Sequence, residues 1–285
     1  MMIFKINWAP NEVFLNLGPL TIYWYSVMFI IAFSLGYYIV QKIYLNDNKP
    51  IELVEPLFLY VVFGTLLGAR LGEVFFYNWE YFQNNLIEIL LPIKKDLDSS
   101  MLFGIIDGYK FVGYRGLASH GATIGIITAM FIYKYKFKYD SVLWIFDRLT
   151  IPVAIGGMFV RIGNFFNSEI VGNYTNSNFG IVFKNRGEIF PRHPAQLYEA
   201  FGYLLLFIIL WNLYWKTDLK KNKGFLFGLF LTGLFSVRVL VENVKESQGG
   251  GLENTLGLLS TGQWLSIPFI VIGIGLMLYS RRKDA

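Results

Sequence analysis

The sequence predicts an all-α, polytopic integral membrane protein of about seven transmembrane helices. Three observations carry this. The 285 residues are 54% hydrophobic and 16% charged, against about a quarter charged in an ordinary soluble chain. Apolar stretches of about 20 residues recur, long enough to cross a hydrocarbon core of about 30 Å. The lysines and arginines gather in short connections between these stretches, which is a topology signal.

The spans fall, in order, at residues 20–40, 57–77, 111–133, 142–165, 196–215, 224–243 and 261–280. The first lacks the basic lead and small-residue cleavage site of a secretory signal, so it is expected to stay as a helix. One set of connections is short and basic: Lys42 and Lys49; Lys134, Lys136 and Lys138; Lys216, Lys220, Lys221 and Lys223; and Arg281, Arg282 and Lys283. The other set is much longer and carries fewer basic residues. The positive-inside rule makes the short loops cytoplasmic, which puts the N-terminus outside and the C-terminus in the cytoplasm. Two long external segments stand out from a single domain of residues 1–285. Residues 78–110 form an insertion. Its first part has spaced apolar residues (Trp79, Phe82, Leu86, Ile89, Leu90), as in an amphipathic helix lying on the surface. Residues 166–195, rich in Asn, Gly and Ser, form a small external cap. No internal repeat or linker is present.

Several function classes drop out. The absence of cysteine removes disulfides, a Cys nucleophile and thiolate metal sites, so any thiol chemistry needs a thiol brought by a substrate. No cluster of His and carboxylates has metal-ligand spacing, and no cofactor is implied. The net charge is +5, but no nucleic-acid motif accompanies it.

Charged side chains inside a span are costly and usually functional. With a rise of about 1.5 Å per residue, Arg70 and Arg238 each lie roughly 20 Å from the inner end of their spans. Tyr25, His120, Arg161, Asn164 and Glu199 also fall in outer halves. Six spans therefore send polar groups into one half of the membrane. Each has a plainer reading. Arg238 and Glu242, four apart, share a helix face and can form an internal ion pair, as can Arg70 with Glu73. Asp147 and Arg148 read as interfacial, and His193, just before Pro194, as structural. The small residues around His120 fit either tight helix packing or room for a ligand. The densest cluster is Arg161-Ile-Gly-Asn164-Phe-Phe-Asn167-Ser-Glu169-Ile-Val-Gly172. Its glycines permit close approach, but a bland helix end does not explain Arg161.

This cluster closely resembles the signature of the prolipoprotein diacylglyceryl transferase family. Supporting matches run in order along nearly the whole chain: Trp24-Tyr25, Gly68-Ala-Arg70-Leu-Gly72, Ser119-His120-Gly121, Arg192-His-Pro-Ala-Gln-Leu-Tyr-Glu199, Arg238-Val-Leu-Val-Glu242 and Thr261-Gly-Gln-Trp-Leu-Ser266. The chain departs from the family where Arg-Glu-Pro is usual; here it reads Lys245-Glu246-Ser247. A Tyr that some members carry is Leu234, and the glycine run around the His is reduced to Gly116 and Gly121.

The resemblance implies transfer of the diacylglyceryl group of phosphatidylglycerol to the lipobox cysteine of a prolipoprotein signal peptide. A thioether forms and glycerol phosphate leaves. The implied setting is the bacterial cytoplasmic (inner) membrane, with membrane lipids as neighbours and the active site towards the outer leaflet. Arginine suits the headgroup, because its planar fork matches phosphate oxygens. Arg161 and Arg238 are therefore expected on the phosphate, with Arg70 as a further substrate-binding cation. Glu242 would orient Arg238. Asn164, Glu169 and Gly172 would position the glycerol or the loop, and Tyr25 would form a hydrogen-bonding wall. His120 is the candidate base for the thiol, unless the arginines alone favour the thiolate. The rival readings are a transporter for an anionic solute and a non-catalytic lipid-binding protein.

Overall fold

A computed structural model describes residues 6–17, 20–101, 106–112, 118–139, 141–246 and 259–282. Residues 113–117 and 247–258, which include Gly116 and Ser247 of the motifs above, lie outside them. The described chain is mostly helical. The helices are α1 (Trp24–Asn46), α2 (Val54–Phe76), α3 (Trp79–Phe82), α4 (Ile87–Leu90), α5 (Ser119–Lys136), α6 (Val142–Phe166), α7 (Ala195–Lys216), α8 (Phe225–Glu242) and α9 (Thr261–Arg282).

Among the described residues, six of these (α1, α2 and α6 to α9) are long and apolar enough to cross a membrane. Their outward faces carry exposed Ile30, Phe63, Phe201 and Val271, while Arg70, Asp147 and Glu199 are buried. That inversion suits a lipid solvent. The third expected span is the exception. Its helix, α5, begins at Ser119 rather than near residue 111, because Phe111 ends a strand. With Lys134 and Lys136 in its last turn, α5 is not among the six.

The helical expectation holds for most of the described chain, and small sheets accompany the helices. Among the described residues these are three two-stranded sheets. Strand β1 (Ile6–Trp8) runs parallel to β6 (Ile181–Phe183), β2 (Val13–Leu17) is antiparallel to β3 (Leu20–Tyr23), and β4 (Ile93–Met101) is antiparallel to β5 (Ile106–Phe111).

The chain divides into two compact units: Met1–Asn48 with Leu143–Ala285, and Lys49–Val142. In the smaller unit, α2 and α5 pack through glycine. A Cβ on Gly64, Gly68 or Gly72 would strike the α5 backbone at Gly121 or Gly125, and the reverse holds for those two. The pairing order makes the helices antiparallel. Only small residues allow backbones this close, so the small residues after His120 serve helix packing.

The insertion is not one amphipathic helix. It breaks into α3 and α4, followed by the β4–β5 hairpin. Tertiary contacts hold the pieces in place. Arg70 donates from Nε to the Ile89 carbonyl at 3.0 Å and from Nη2 to the Glu88 carbonyl, and lies 4.7 Å from the Phe82 ring centroid. The buried Glu88 carboxylate accepts the Tyr81 hydroxyl at 2.7 Å and the Lys95 amide at 2.8 Å. That hydrogen bond, with burial and the carboxylate charge, pushes the Tyr81 hydroxyl up to about 12.

In the larger unit, a buried apolar core joins Ile39 and Ile43 of α1, Ile151 and Ile155 of α6, Leu206 and Leu210 of α7, and Leu226 and Phe230 of α8. Polar groups collect at the two ends of this core. One end is a closed network. Arg148 Nε lies 2.7 Å from Asp47 Oδ2, and its Nη1 donates to the Lys220 carbonyl at 3.1 Å. The Tyr214 hydroxyl donates to Asp47 at 2.7 Å. Asp147 accepts the amides of Gly224 at 2.7 Å and Phe227 at 2.8 Å, holding the first turn of α8. Asp147 and Arg148 are thus buried within the protein, near the start of α6. Asp147→Ala would strand two buried amides, costing about 1–3 kcal/mol for each lost acceptor. A markedly lower unfolding temperature in detergent is expected; an unchanged one would mean that this capping contributes nothing.

Candidate functional site

The opposite end gathers the N-terminal turns of α1, α7 and α9 and the C-terminal turns of α6 and α8. The helix α6 delivers Arg161 and Asn164 one turn apart, on one face. Arg161 Nε lies 2.6 Å from Glu199 Oε2 of α7, and its Nη1 donates to Asn164 Oδ1 at 3.1 Å. Asn164 Nδ2 donates to Glu169 Oε1 at 2.7 Å, and Asn167 reaches the same oxygen at 3.3 Å. Gln196 Nε2 donates to the Glu169 carbonyl at 2.6 Å. One continuous polar chain therefore links α6, the segment after it and α7.

That segment is tightly shaped. Ser168 has φ 53° and Ile170 has φ 59°. A β-branched residue in the left-handed region is strained, and such strain concentrates at functional sites. The Gly172 amide donates to the His193 carbonyl at 2.9 Å, and its carbonyl accepts from Arg192 Nη1 at 3.0 Å. A Cβ at Gly172 would collide with His193 and the Val244 carbonyl, each at 2.6 Å. Gly172 thus acts through its backbone, knotting the cap. His193 has a structural setting, its Nδ1 lying 3.2 Å from the Tyr198 hydroxyl. Tyr25 lies beside Asn164, Glu169 and Arg161, and its ring fills the space that a Cβ on Gly163 would need.

Arg238, on α8, joins the same neighbourhood. The buried Tyr203 is close enough to Glu199, Arg161 and Arg238 to feel the charge of each. Arg238 Nε is buried without a hydrogen-bond acceptor. Glu242 does not take it: no ion pair between Arg238 and Glu242 occurs among the described residues. Glu242 Oε2 instead lies 3.5 Å from Lys245 Nζ. The expected Arg238–Glu242 pair is thereby replaced.

Two expected site residues belong to the smaller unit. Arg70 is committed there to the carbonyls of Glu88 and Ile89, and Glu73 accepts from Asn78 Nδ2 at 2.7 Å rather than pairing with Arg70. His120 is exposed in the first turn of α5. Tyr203 and Lys245 were not anticipated as site residues. Nothing in the sequence marks Tyr203, one tyrosine among 18; Lys245 was visible only as a departure from Arg. Among the described residues no group of His, Asp and Glu is placed to hold a metal ion.

Beside the site, the cap is tied down by charge. Arg192 Nε lies 2.7 Å from Glu188, and its Nη1 lies 3.0 Å from Glu246. Arg186 contacts Glu188 at 3.0 Å and Glu246 at 3.2 Å. Burial pushes the Glu188 carboxyl up, but hydrogen bonds from Arg192 and Arg186 outweigh it and hold the group below the usual carboxylate range. A lowered folded-state value stabilises the ionised fold. That contribution is complete above the ordinary Glu range, near 4.5, and is lost as pH falls through the lowered value. Protection from hydrogen exchange across residues 172–192, taken relative to the intrinsic rate at each pH, should therefore fall in acid, and less so in Glu188→Gln. Equal acid sensitivity in both proteins would remove Glu188 from the account.

The chain matches the family model described as prolipoprotein diacylglyceryl transferase over residues 12–279. It is 40% identical to a protein of Tolumonas auensis named phosphatidylglycerol–prolipoprotein diacylglyceryl transferase, over 98% of both chains. A protein of the same name from Bacteroides fragilis is also 40% identical, over all of this chain and 98% of its own. One from Chloroherpeton thalassium is 38% identical, over 98% and 96%.

Proposed function

Because the chain belongs to the prolipoprotein diacylglyceryl transferase family, we propose that it transfers diacylglyceryl from phosphatidylglycerol to a lipobox cysteine. The cysteine thiolate attacks the glyceryl carbon that bears the phosphate ester. A C–S bond forms and the C–O bond breaks. Glycerol phosphate leaves with the bonding pair, and the thiol proton passes to a base.

The observation that supports this best is the placing of Arg161 and Arg238 around Tyr203 at one end of the larger unit. Two guanidinium groups there suit a headgroup phosphate whose charge grows as the ester departs. Glu199 and Asn164 hold the fork of Arg161 in place, Glu169 braces Asn164, and Asn164 and Glu169 offer polar contacts to the glycerol. Tyr25 closes the wall beside them. The thiol has an ordinary pKa near 8.5, and nearby cations favour its thiolate. His120 is the candidate for the proton, on its chemistry and on the family resemblance. Arg70 is a weaker candidate for substrate, since its fork already has two carbonyl partners.

We place the reaction at the outer leaflet of the bacterial inner membrane, with seven spans if α5 is counted. The lysine-rich connections support that orientation through the positive-inside rule. Donor lipid would enter sideways and the precursor would present its cysteine from outside.

The transporter reading is less favoured. In the larger unit an apolar core separates the arginine end from the closed Asp47–Arg148–Asp147 network, so the described polar groups form no path through it. Purified protein in sealed vesicles and in detergent separates the two. Modification of a cysteine peptide in detergent, without solute uptake, supports the transferase; uptake without modification overturns it.

A further inference from the structure

Arg238 and Glu242 stand four residues apart on α8, a spacing that normally yields an ion pair. Here the carboxylate turns elsewhere. Lys245, buried just past the helix end, lies 3.5 Å from Glu242 and 4.0 Å from Glu199. Glu242 also packs against Gly262, where an added Cβ would strike its carboxylate. That position is the first turn of α9, whose unpaired amides favour negative charge. Two features thus draw Glu242 away from Arg238, and the Arg238 Nε is left buried without an acceptor. A buried donor without a partner is costly, and the cost is recovered when a ligand brings an acceptor.

We propose that Lys245 is a positioning residue that keeps Arg238 available for the anionic headgroup. It does so by holding Glu242, and it shares Glu199 with Arg161. Lysine suits the task, because a compact charge can sit between two carboxylates without the planar geometry of a guanidinium. Removing it frees Glu242 to capture Arg238, and the headgroup phosphate must then compete with an internal carboxylate. The proposal rests on the assignment of Arg238 to the headgroup.

The test is steady-state transfer to a cysteine peptide in mixed micelles, with phosphatidylglycerol varied. Lys245→Met should raise KM for the lipid about tenfold, the worth of one charged hydrogen bond. Lys245→Arg should recover most of that loss. The decisive variant is the double Lys245→Met/Glu242→Gln. With the competing carboxylate neutralised, its KM should fall back towards wild type, which a merely structural lysine would not allow. A KM unchanged in Lys245→Met, or a double variant no better than the single, overturns the proposal. Lys245→Gln takes the place of the Met variant if the latter fails to fold. Arg238→Ala in the same series separates the layers. If it keeps the wild-type KM, the headgroup assignment fails; if it is impaired while Lys245→Met is normal, only the role of Lys245 fails.

Discussion

Arg161→Ala is expected to abolish measurable transfer while leaving the protein folded. Arg161 is the best-organised cation of the site. Its Nε faces Glu199 on α7 and its Nη1 faces Asn164 on its own helix. Both partners are themselves buried, so the guanidinium plane is fixed before any lipid arrives. A preorganised donor of this kind contributes about 2.7–4 kcal/mol to a transition state in which charge develops, or about 10²–10³ in rate. Arg161→Lys tests the geometry separately from the charge. An ammonium cannot face Glu199 and Asn164 and still present a fork to phosphate, so the Lys variant should lose nearly as much. Activity near wild type in Arg161→Lys would refute the bidentate reading. The buried Glu199 then loses its nearest cation, so both variants need a melting curve to show that lost rate is not lost fold.

Gly125→Leu should have the largest effect on stability. A Cβ there would overlap the Gly64 carbonyl and lie 2.7 Å from the Gly68 Cα. Both are backbone atoms of α2 and neither has a rotamer to yield. Overpacking a core usually costs about 1–3 kcal/mol; a leucine against rigid backbone belongs at or above the top of that range. The variant should unfold at much lower temperature or fail to purify as a single species. Gly275→Leu is the control, since nothing lies within 4 Å of its Cβ position. Equal behaviour of the two variants would mean that the α2–α5 contact does not hold the smaller unit together.

The helices were legible because each apolar run is long and bounded by lysines; five of the seven expected spans match α2 and α6 to α9 within about three residues, and the first is shifted, since residues 20–23 form β3 and α1 runs on to Asn46. The site was legible around Arg161 because charge inside an apolar run has few bland explanations. Pairings were not. Sequence spacing put Arg70 with Glu73 and Arg238 with Glu242, both on shared helix faces. In the fold, Arg70 turns to the carbonyls of residues 88 and 89, and Glu242 turns to Lys245. Such choices depend on neighbouring elements that helical periodicity does not encode. The insertion failed for a related reason. Its apolar spacing suits a helix, but Arg70 takes the carbonyls of residues 88 and 89 in α4, and the Glu88 carboxylate takes the Lys95 amide just beyond it. Tyr203 was invisible because its role comes from α7 packing beside α6 and α8.

The most direct measurement is the mass of a lipobox cysteine peptide after incubation with purified protein and phosphatidylglycerol, with released glycerol phosphate quantified alongside. The account predicts a peptide heavier by one diacylglyceryl group, one glycerol phosphate for each peptide modified, and neither product with Arg161→Ala. An unmodified peptide from folded wild-type protein that binds both substrates would contradict it. So would full modification by folded Arg161→Ala.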